Sequence, residues 1–259
     1  MAIGKNIKAA FFDIDGTLLS FKTHRVSEGT IRAFRTLHNH GVLTFISSGR
    51  PMILIPEMPV DFEGYITMNG GLVFTQQQNL LSNPIPREDS SHWVDFAKEN
   101  NICTMAFTAD GMMASQINEI GMKVREQLEF QMPPVVPVEE MRNHEAYQII
   151  ALMPATMDKE VAALLPHCRL PRWHPAFTDI VANGNSKAAG MDAICRHFGI
   201  RQEETIAFGD GGNDIEMLQW SGIGVAMGNA DDKVKAAADM VTTDVDNEGI
   251  ENAVNRLFA

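Results

Sequence analysis

Residues 11–17 read Phe-Phe-Asp-Ile-Asp-Gly-Thr, and this run is more informative than any other part of the chain. An apolar segment, Ala9 to Phe12, leads into two carboxylates, Asp13 and Asp15, and the Gly16-Thr17 pair then breaks the pattern. Charge at the end of a buried strand is costly unless it is paired or binds a metal. The run is therefore either a strand end with an ordinary Asp-Gly turn or part of a functional site.

Strand-like and helix-like segments alternate on both sides of this run. Ile7–Asp13 and Val42–Ser47 are apolar strand segments, and Ser27 is a suitable N-cap for a helix between them that Gly41 ends. The last part of the chain adds a helix near 191–198, strands at Thr205–Phe208 and Ile223–Ala226, a helix after Asp214 and a helix near Asn247–Phe258. This alternation predicts an α/β fold with a doubly wound parallel sheet.

Residues 84–183 follow a different pattern. Strand-like segments there are Ile102–Phe107, Met112–Gln116, Tyr147–Met153 and a strand pair near Arg169–Ala182, with helices near Arg87–Glu99, Asn118–Phe130 and Thr156–Leu165. Paired strands with helices predict an inserted α+β domain. We therefore expect a parallel-sheet core domain of residues 1–83 and 184–259, and an inserted domain of residues 84–183.

Composition excludes several classes of function. The chain has 259 residues, 45% of them apolar, and a net charge of −12. This charge argues against nucleic acid or an anionic membrane as the main partner, and no apolar run approaches the ~18 residues of a membrane span. Three cysteines without metal-ligand spacing are typical of a reducing compartment. We expect a cytoplasmic protein, a monomer or small homo-oligomer, that acts on a small molecule.

Polar clusters follow several of the predicted strands. They are Asp13 with Asp15, Ser48, Lys187 after the insert, and Asp210 with Asp214. Taken singly, Ser48 could be only a helix cap, Lys187 a solvated lysine and Asp214 an N-cap. Because ligands bind at the carboxyl edge of open α/β sheets, their joint placement instead predicts one site.

The residue types at this edge suit phosphoryl transfer. Carboxylates are the ligands that Mg²⁺ prefers, together with substrate phosphate. A lysine and a serine hydroxyl suit the oxygens of a transferring phosphoryl group. One aspartate can attack phosphorus, and a second carboxyl can move the proton of the leaving group and of water.

These motifs together resemble those of the haloacid dehalogenase superfamily, specifically the Cof-type phosphatases with a class IIB cap. The resemblance rests on Asp13-Ile-Asp15-Gly-Thr17, Ser48-Gly-Arg50, Lys187, Gly209-Asp210-Gly-Gly-Asn213-Asp214, the Met68-Asn69-Gly70 turn and the run from Val225 to Ala230. It spans essentially the whole chain and is similar to the bacterial hexose-phosphate phosphatases of that group. It implies a Rossmann-like core and makes residues 84–183 a cap that governs substrate specificity.

The resemblance also implies roles for individual residues. Asp13 becomes the nucleophile, Asp15 the general acid and base, and Lys187 a neutralising group beside the nucleophile. The phosphate and substrate would be bound by Ser48, Gly49, Arg50, Asn69 and Asn213. Mg²⁺ would be held by Asp13, the backbone carbonyl of Asp15 and Asp210, with Asp214 and Asn213 in support.

Asp15 separates the neighbouring chemistries of the superfamily. Its dehalogenases lack a second aspartate there, and its ion-pumping ATPases carry lysine and need membrane helices. Asp15 therefore favours a phosphate ester as the substrate, with sugar phosphates expected first. A phosphomutase or phosphotransferase is the alternative enzyme, and a non-catalytic phosphosugar-binding protein is the alternative outside catalysis. Loss of Asp13 or Asp15 would mark the latter, and both are present.

Overall fold

The computed structural model describes residues 6–116, 121–122, 133–172 and 174–258. Contacts divide this part of the chain into two compact units. The first unit contains the residues up to Arg50, Ile55–Ser82 and the residues from Ser186 onward, and the second contains Pro51–Leu54 and Asn83–Asn185.

Strands and helices of the described residues are numbered in chain order. The strands are β1 Ala9–Phe12, β2 Leu43–Ser47, β3 Gly64–Thr67, β4 Leu72–Thr75, β5 Asn79–Ser82, β6 Cys103–Phe107, β7 Met112–Ala114, β8 Gln148–Leu152, β9 Cys168–Arg169, β10 Thr178–Ala182, β11 Thr205–Gly209, β12 Ile223–Ala226 and β13 Met240–Val241. The α-helices are α1 Glu28–Asn39, α2 Arg87–Glu99, α3 Asp158–Leu164, α4 Lys187–Phe198, α5 Ile215–Trp220, α6 Asp232–Ala237 and α7 Gly249–Phe258.

The first unit is built on an eight-stranded sheet in the order β13-β12-β11-β1-β2-β3-β4-β5. All pairs from β13 to β3 are parallel, and β4 and β5 extend the sheet as antiparallel strands. The predicted α/β fold with a parallel sheet is confirmed. The antiparallel extension was not predicted, because its two short strands lack the alternation with helices that marks the rest of the sheet.

Apolar side chains of β1 enter two cores, one on each face of the sheet. Phe12 packs with the buried faces of α1 and α7, including Phe34 and Val254. Phe11 faces the other way and packs with α4 and α5, including Met191. A strand buried on both faces is apolar throughout, which explains the unbroken run from Ala9 to Phe12.

The start of α4 is fixed by a cap and by a turn that packs behind it. The hydroxyl of Ser186 accepts a hydrogen bond from the backbone N–H of Ala189. Gly70 has φ of +91°, and a Cβ at this position would stand 2.1 Å from the carbonyl oxygen of Ser186. Glycine is therefore required at position 70, and this contact fixes where Lys187 begins its helix.

The second unit contains a five-stranded antiparallel sheet in the order β7-β6-β8-β10-β9. Helices α2 and α3 cover one face, where Trp93 and Val161 are fully buried. The predicted helix near Asn118–Phe130 lies almost entirely outside the described residues. The assignment of residues 84–183 as a substrate-specificity cap stays a prediction.

No helix in the described ranges is both long enough and apolar enough to span a bilayer. All three cysteines are buried thiols.

Candidate active site

The carboxyl ends of three neighbouring strands bring the predicted catalytic segments to one edge of the first unit's sheet. β1 pairs in parallel with β11 on one side and with β2 on the other. Asp13 directly follows β1, Ser48 follows β2, and Asp210 follows β11. Ligands of open α/β sheets bind outside this edge.

Lys187 joins two aspartates at this edge. Its Nζ lies 2.5 Å from Oδ1 of Asp13 and 2.5 Å from Oδ1 of Asp214. The Lys187 side chain is fully buried, and so is that of Asp214, while Asp13 is 7% exposed. A buried charge of this kind is tolerated only with close partners of opposite sign, so the three side chains stabilise one another.

Asp214 also holds the loop that follows β11. Its Oδ2 accepts hydrogen bonds from the backbone N–H of Asp210 at 2.9 Å and of Gly211 at 2.8 Å. Both of its oxygens therefore have partners within the protein. Its part in metal binding stays a prediction, and these contacts favour a supporting part.

Each oxygen of Asp210 accepts a hydrogen bond from a neighbouring segment. Thr17 Oγ1 donates to Oδ1 at 3.0 Å, and Asn229 Nδ2 donates to Oδ2 at 2.9 Å. Gly16 has φ of +80°, and a Cβ there would stand 2.2 Å from Oδ2 of Asp210. Glycine is required at position 16 for both reasons.

Three carboxylates form a cluster that fits a divalent cation. One ligand oxygen from each of Asp13, Asp210 and Asp214 lies within 4.8 Å of the others. Asp13 and Asp214 share the ammonium of Lys187, while Asp210 contacts neutral donors, so the cluster retains negative charge. Because hard oxygen ligands suit Mg²⁺, the donor set fits the ion that the sequence predicts.

Burial changes the proton affinity of these groups. It raises the pKa of Asp13 to about 8; the attraction of Lys187 opposes this, and repulsion from Asp214 adds to it. Burial, with repulsion from Asp214, raises the pKa of Asp210 to about 6. Burial alone would lower the pKa of Lys187, but Asp13 and Asp214 raise it above its ordinary value. A bound cation would favour the ionised carboxylates.

Ser48, Gly49, Asn69 and Asn213 lie in one connected group. The backbone N–H of Asn69 donates to the carbonyl of Ser48 at 3.1 Å. Asn213 Nδ2 donates to Oδ1 of Asn69 at 3.0 Å, and a Cβ on Gly49 would stand 3.2 Å from Nδ2 of Asn69. Asn69 has φ of +53°, a left-handed conformation that asparagine tolerates better than most residues. The structure thus brings four of the predicted phosphate-binding residues together.

Arg50 contacts Asp15. Its Nε lies 2.8 Å from Oδ2 of Asp15 and its Nη2 lies 2.7 Å from Oδ1, which is a bidentate ion pair. The backbone N–H of Arg50 also donates to Ser48 Oγ at 3.2 Å. The sequence predicted Arg50 as a phosphate-binding residue and Asp15 as the proton donor, but it did not predict that the two are paired.

Sequence reasoning did not include Thr17 or Asn229 among the site residues. Both donate to Asp210, and Asn229 also contacts the carbonyl of Gly16. Two signals were available for Asn229: it lies in the run from Val225 to Ala230 that contributes to the family resemblance, and it follows β12, which lies beside β11 in the sheet.

Comparison with protein families identifies the arrangement. The family model of the haloacid dehalogenase-like hydrolases matches residues 10–254. The chain belongs to this family. The resemblance expected from the motifs is confirmed, and so, with the phosphatase relatives described next, is the prediction that the chain is an enzyme, a phosphatase of the haloacid dehalogenase superfamily.

Similar proteins cover almost the whole chain. One relative is YkrA of Bacillus subtilis, which is named as a candidate phosphatase. It is 32% identical over 96% of this chain and 97% of its own length. A solved structure described as the haloacid dehalogenase subclass IIB sugar phosphatase BT4131 is 41% identical, with a TM-score of 0.86, and covers 96% of this chain and 98% of that chain. The phosphatase BT1666 of Bacteroides thetaiotaomicron is 35% identical with a TM-score of 0.90, covering 97% of this chain and 95% of that one.

Proposed function

We propose that this haloacid dehalogenase-like hydrolase is a Mg²⁺-dependent phosphatase of small phosphate monoesters, with hexose phosphates as its main substrates. The observation that carries the proposal is the buried contact of Asp13 with Lys187 beside Asp210 and Asp214. The sugar phosphatase to which the chain is 41% identical supports the substrate class.

In the first step, a carboxylate oxygen of Asp13 attacks phosphorus and the bond from phosphorus to the ester oxygen breaks. Asp15, in its protonated form, donates a proton to the departing alkoxide, which leaves as an alcohol. The product on the enzyme is an aspartyl-phosphate at Asp13. The charge of Lys187, 2.5 Å from Asp13, favours the ionised carboxylate that attacks, and so would a bound cation, whereas burial opposes ionisation.

In the second step, water attacks the phosphorus of the aspartyl-phosphate. Asp15, now ionised, takes a proton from that water, and the bond from phosphorus to Asp13 breaks. Inorganic phosphate leaves and the Asp13 carboxylate is restored. The two steps balance with water as the only co-reactant.

Neutral donors and Arg50 complete the proposed phosphate site. Ser48, the backbone at Gly49, and the amides of Asn69 and Asn213 would donate to phosphoryl oxygens, which gain negative charge in the transition state. Arg50 can contact a phosphoryl oxygen and Asp15 at the same time, because its guanidinium carries several donors in a planar fork.

Asp13, Asp210 and the carbonyl of Asp15 would hold Mg²⁺, with Asp214 in support. When bound, the ion supplies charge neutralisation at the phosphoryl oxygens.

An assay of phosphate release tests the proposal. The wild-type chain is expected to release phosphate from hexose 6-phosphates with Mg²⁺ and to stop when a chelator is in excess. Asp13→Asn, which is nearly isosteric, is expected to abolish release and to keep the fold. Full activity in excess chelator would remove the metal from the proposal, and unchanged activity of Asp13→Asn would remove the nucleophile.

The same assay separates the alternative enzyme. A phosphomutase passes the phosphoryl group between sugar hydroxyls and depends on a bisphosphate activator. Release of phosphate to water without such an activator supports the phosphatase. The cap role of residues 84–183, a cytoplasmic location and a monomer or small homo-oligomer stay predictions.

A further inference from the structure

Asn229 lies where three loops of the candidate site meet. It follows β12, and its side chain contacts the loop after β1, the loop after β11 and the segment at Val245. Nδ2 donates to the carbonyl of Gly16 at 2.9 Å and to Oδ2 of Asp210 at 2.9 Å.

The orientation of this amide is fixed by its third contact. The backbone N–H of Val245 donates to Oδ1 of Asn229 at 3.0 Å. Since only the oxygen of an asparagine amide can accept, the NH₂ group must face Gly16 and Asp210. Both of its hydrogens then have acceptors.

Both acceptors belong to segments that would hold the cation. Asp210 is a member of the carboxylate cluster. Gly16 directly follows Asp15, so a hydrogen bond to the Gly16 carbonyl restrains the backbone that carries the Asp15 carbonyl. The amide is also neutral, and it orients the Asp210 carboxylate without adding a positive charge that would compete with a cation.

We propose that Asn229 is a positioning residue for the divalent-cation site, holding Asp210 and the backbone after Asp15 in the arrangement that binds the ion. This inference rests on the proposed function only for the presence of the cation site. Partners that orient metal ligands typically change metal affinity by about 10–100-fold when they are removed.

Asn252 provides a matched control. It is also an exposed asparagine of the first unit, and its Nδ2 also makes two hydrogen bonds, to Thr243 Oγ1 at 2.8 Å and to the carbonyl of Asn247 at 3.0 Å. These partners belong to the same surface region as Val245 but not to the carboxylate cluster. Asn252→Ala therefore measures how much the Mg²⁺ affinity changes when a surface amide of this region is lost without any contact to the cluster.

The test is the dissociation constant of Mg²⁺, measured by calorimetry without substrate on wild type, Asn229→Ala, Asn229→Ser and Asn252→Ala. The two Asn229 variants are expected to bind Mg²⁺ about 10–100-fold more weakly, and Asn252→Ala to bind as wild type does. Circular dichroism of the chelated proteins is expected to show the same fold in all four.

Each outcome decides the inference. A wild-type Mg²⁺ affinity in a folded Asn229 variant, or an equal loss in Asn252→Ala, would overturn it. Failure of both Asn229 variants to fold would show a requirement for the fold instead and would also overturn it. If the wild type itself binds no Mg²⁺, the metal part of the proposed function has failed, which the wild-type titration shows separately.

Discussion

The guanidinium of Arg50 holds the carboxylate of Asp15 through two parallel contacts of 2.8 and 2.7 Å. Both side chains are partly exposed, 35% for Arg50 and 41% for Asp15. Exposed ion pairs typically contribute about 0–1 kcal/mol to stability. The pair is therefore better explained by the chemistry of the site than by the stability of the fold.

Asp15→Asn is expected to depend on the leaving group of the substrate. An alkoxide must be protonated as it departs, whereas p-nitrophenolate leaves without a proton. We expect the variant to lose about 10²–10⁴-fold in kcat/KM for a hexose 6-phosphate and much less for p-nitrophenyl phosphate. Equal losses for the two substrates would show that Asp15 is not the proton donor. Asp13→Asn is the control, because loss of the nucleophile should abolish both reactions.

Arg50→Ala is expected to lower activity without unfolding the protein. Because the ion pair is partly exposed, the free energy of unfolding should fall by less than about 1 kcal/mol. Kinetics with a hexose 6-phosphate should show a higher KM, since the planar guanidinium suits a phosphoryl group. Arg50→Lys keeps the charge but loses the planar fork of donors. Its KM should therefore lie between those of the wild type and Arg50→Ala. Wild-type kinetics for Arg50→Ala would exclude Arg50 from substrate binding.

Lys187→Met is expected to destabilise the folded protein strongly in the absence of metal. The substitution leaves Asp13 and Asp214 buried without their common partner, which typically costs about 3–5 kcal/mol. Urea unfolding in chelator measures the loss, and added Mg²⁺ should restore part of it by neutralising the cluster. A loss below about 1 kcal/mol would mean that the buried contacts do not stabilise one another as described.

Mg²⁺ affinity is expected to rise with pH. The pKa of Asp210 is raised to about 6 and that of Asp13 to about 8, so both carboxyls hold protons at pH values where ordinary aspartates do not. A cation must displace these protons, and its affinity therefore weakens as pH falls through about 8 and about 6. Calorimetry in buffers of different ionisation enthalpy counts the protons released. Mg²⁺ binding without proton release near neutral pH would contradict the prediction that the cation displaces these protons.

His167 is expected to stabilise the second unit at low pH. Its Nδ1 lies 3.0 Å from Oδ1 of the buried Asp89, and this hydrogen bond and charge raise the pKa of His167. The stabilisation by His167 is fully present below the ordinary histidine pKa of about 6.5. It is lost as pH rises through the pKa that His167 has in the folded protein. His167→Gln should therefore cost more unfolding free energy at about pH 6 than at about pH 9. An equal loss of unfolding free energy at both pH values would show that the charged imidazole does not stabilise the second unit.

The sequence predicted the parallel sheet and the sheet edge at which most of the candidate site residues lie, because both depend on local signals. Alternating strands and helices predict the sheet, and polar residues after strands predict its functional edge. The contacts of Asn229 with Gly16 and of Arg50 with Asp15 could not be predicted in this way. They join segments that are 213 and 35 residues apart, and only the sheet order brings those segments together.

A phosphoryl group on Asp13 is the intermediate that distinguishes the proposed reaction from direct attack by water. The enzyme can be mixed with a hexose 6-phosphate labelled at phosphorus, quenched in acid during the first turnover and digested. We expect the label on the peptide that contains Asp13, its release by hydroxylamine and its absence in Asp13→Asn. Full phosphate release in the first turnover with no label on the protein at any quench time would contradict the aspartyl-phosphate mechanism.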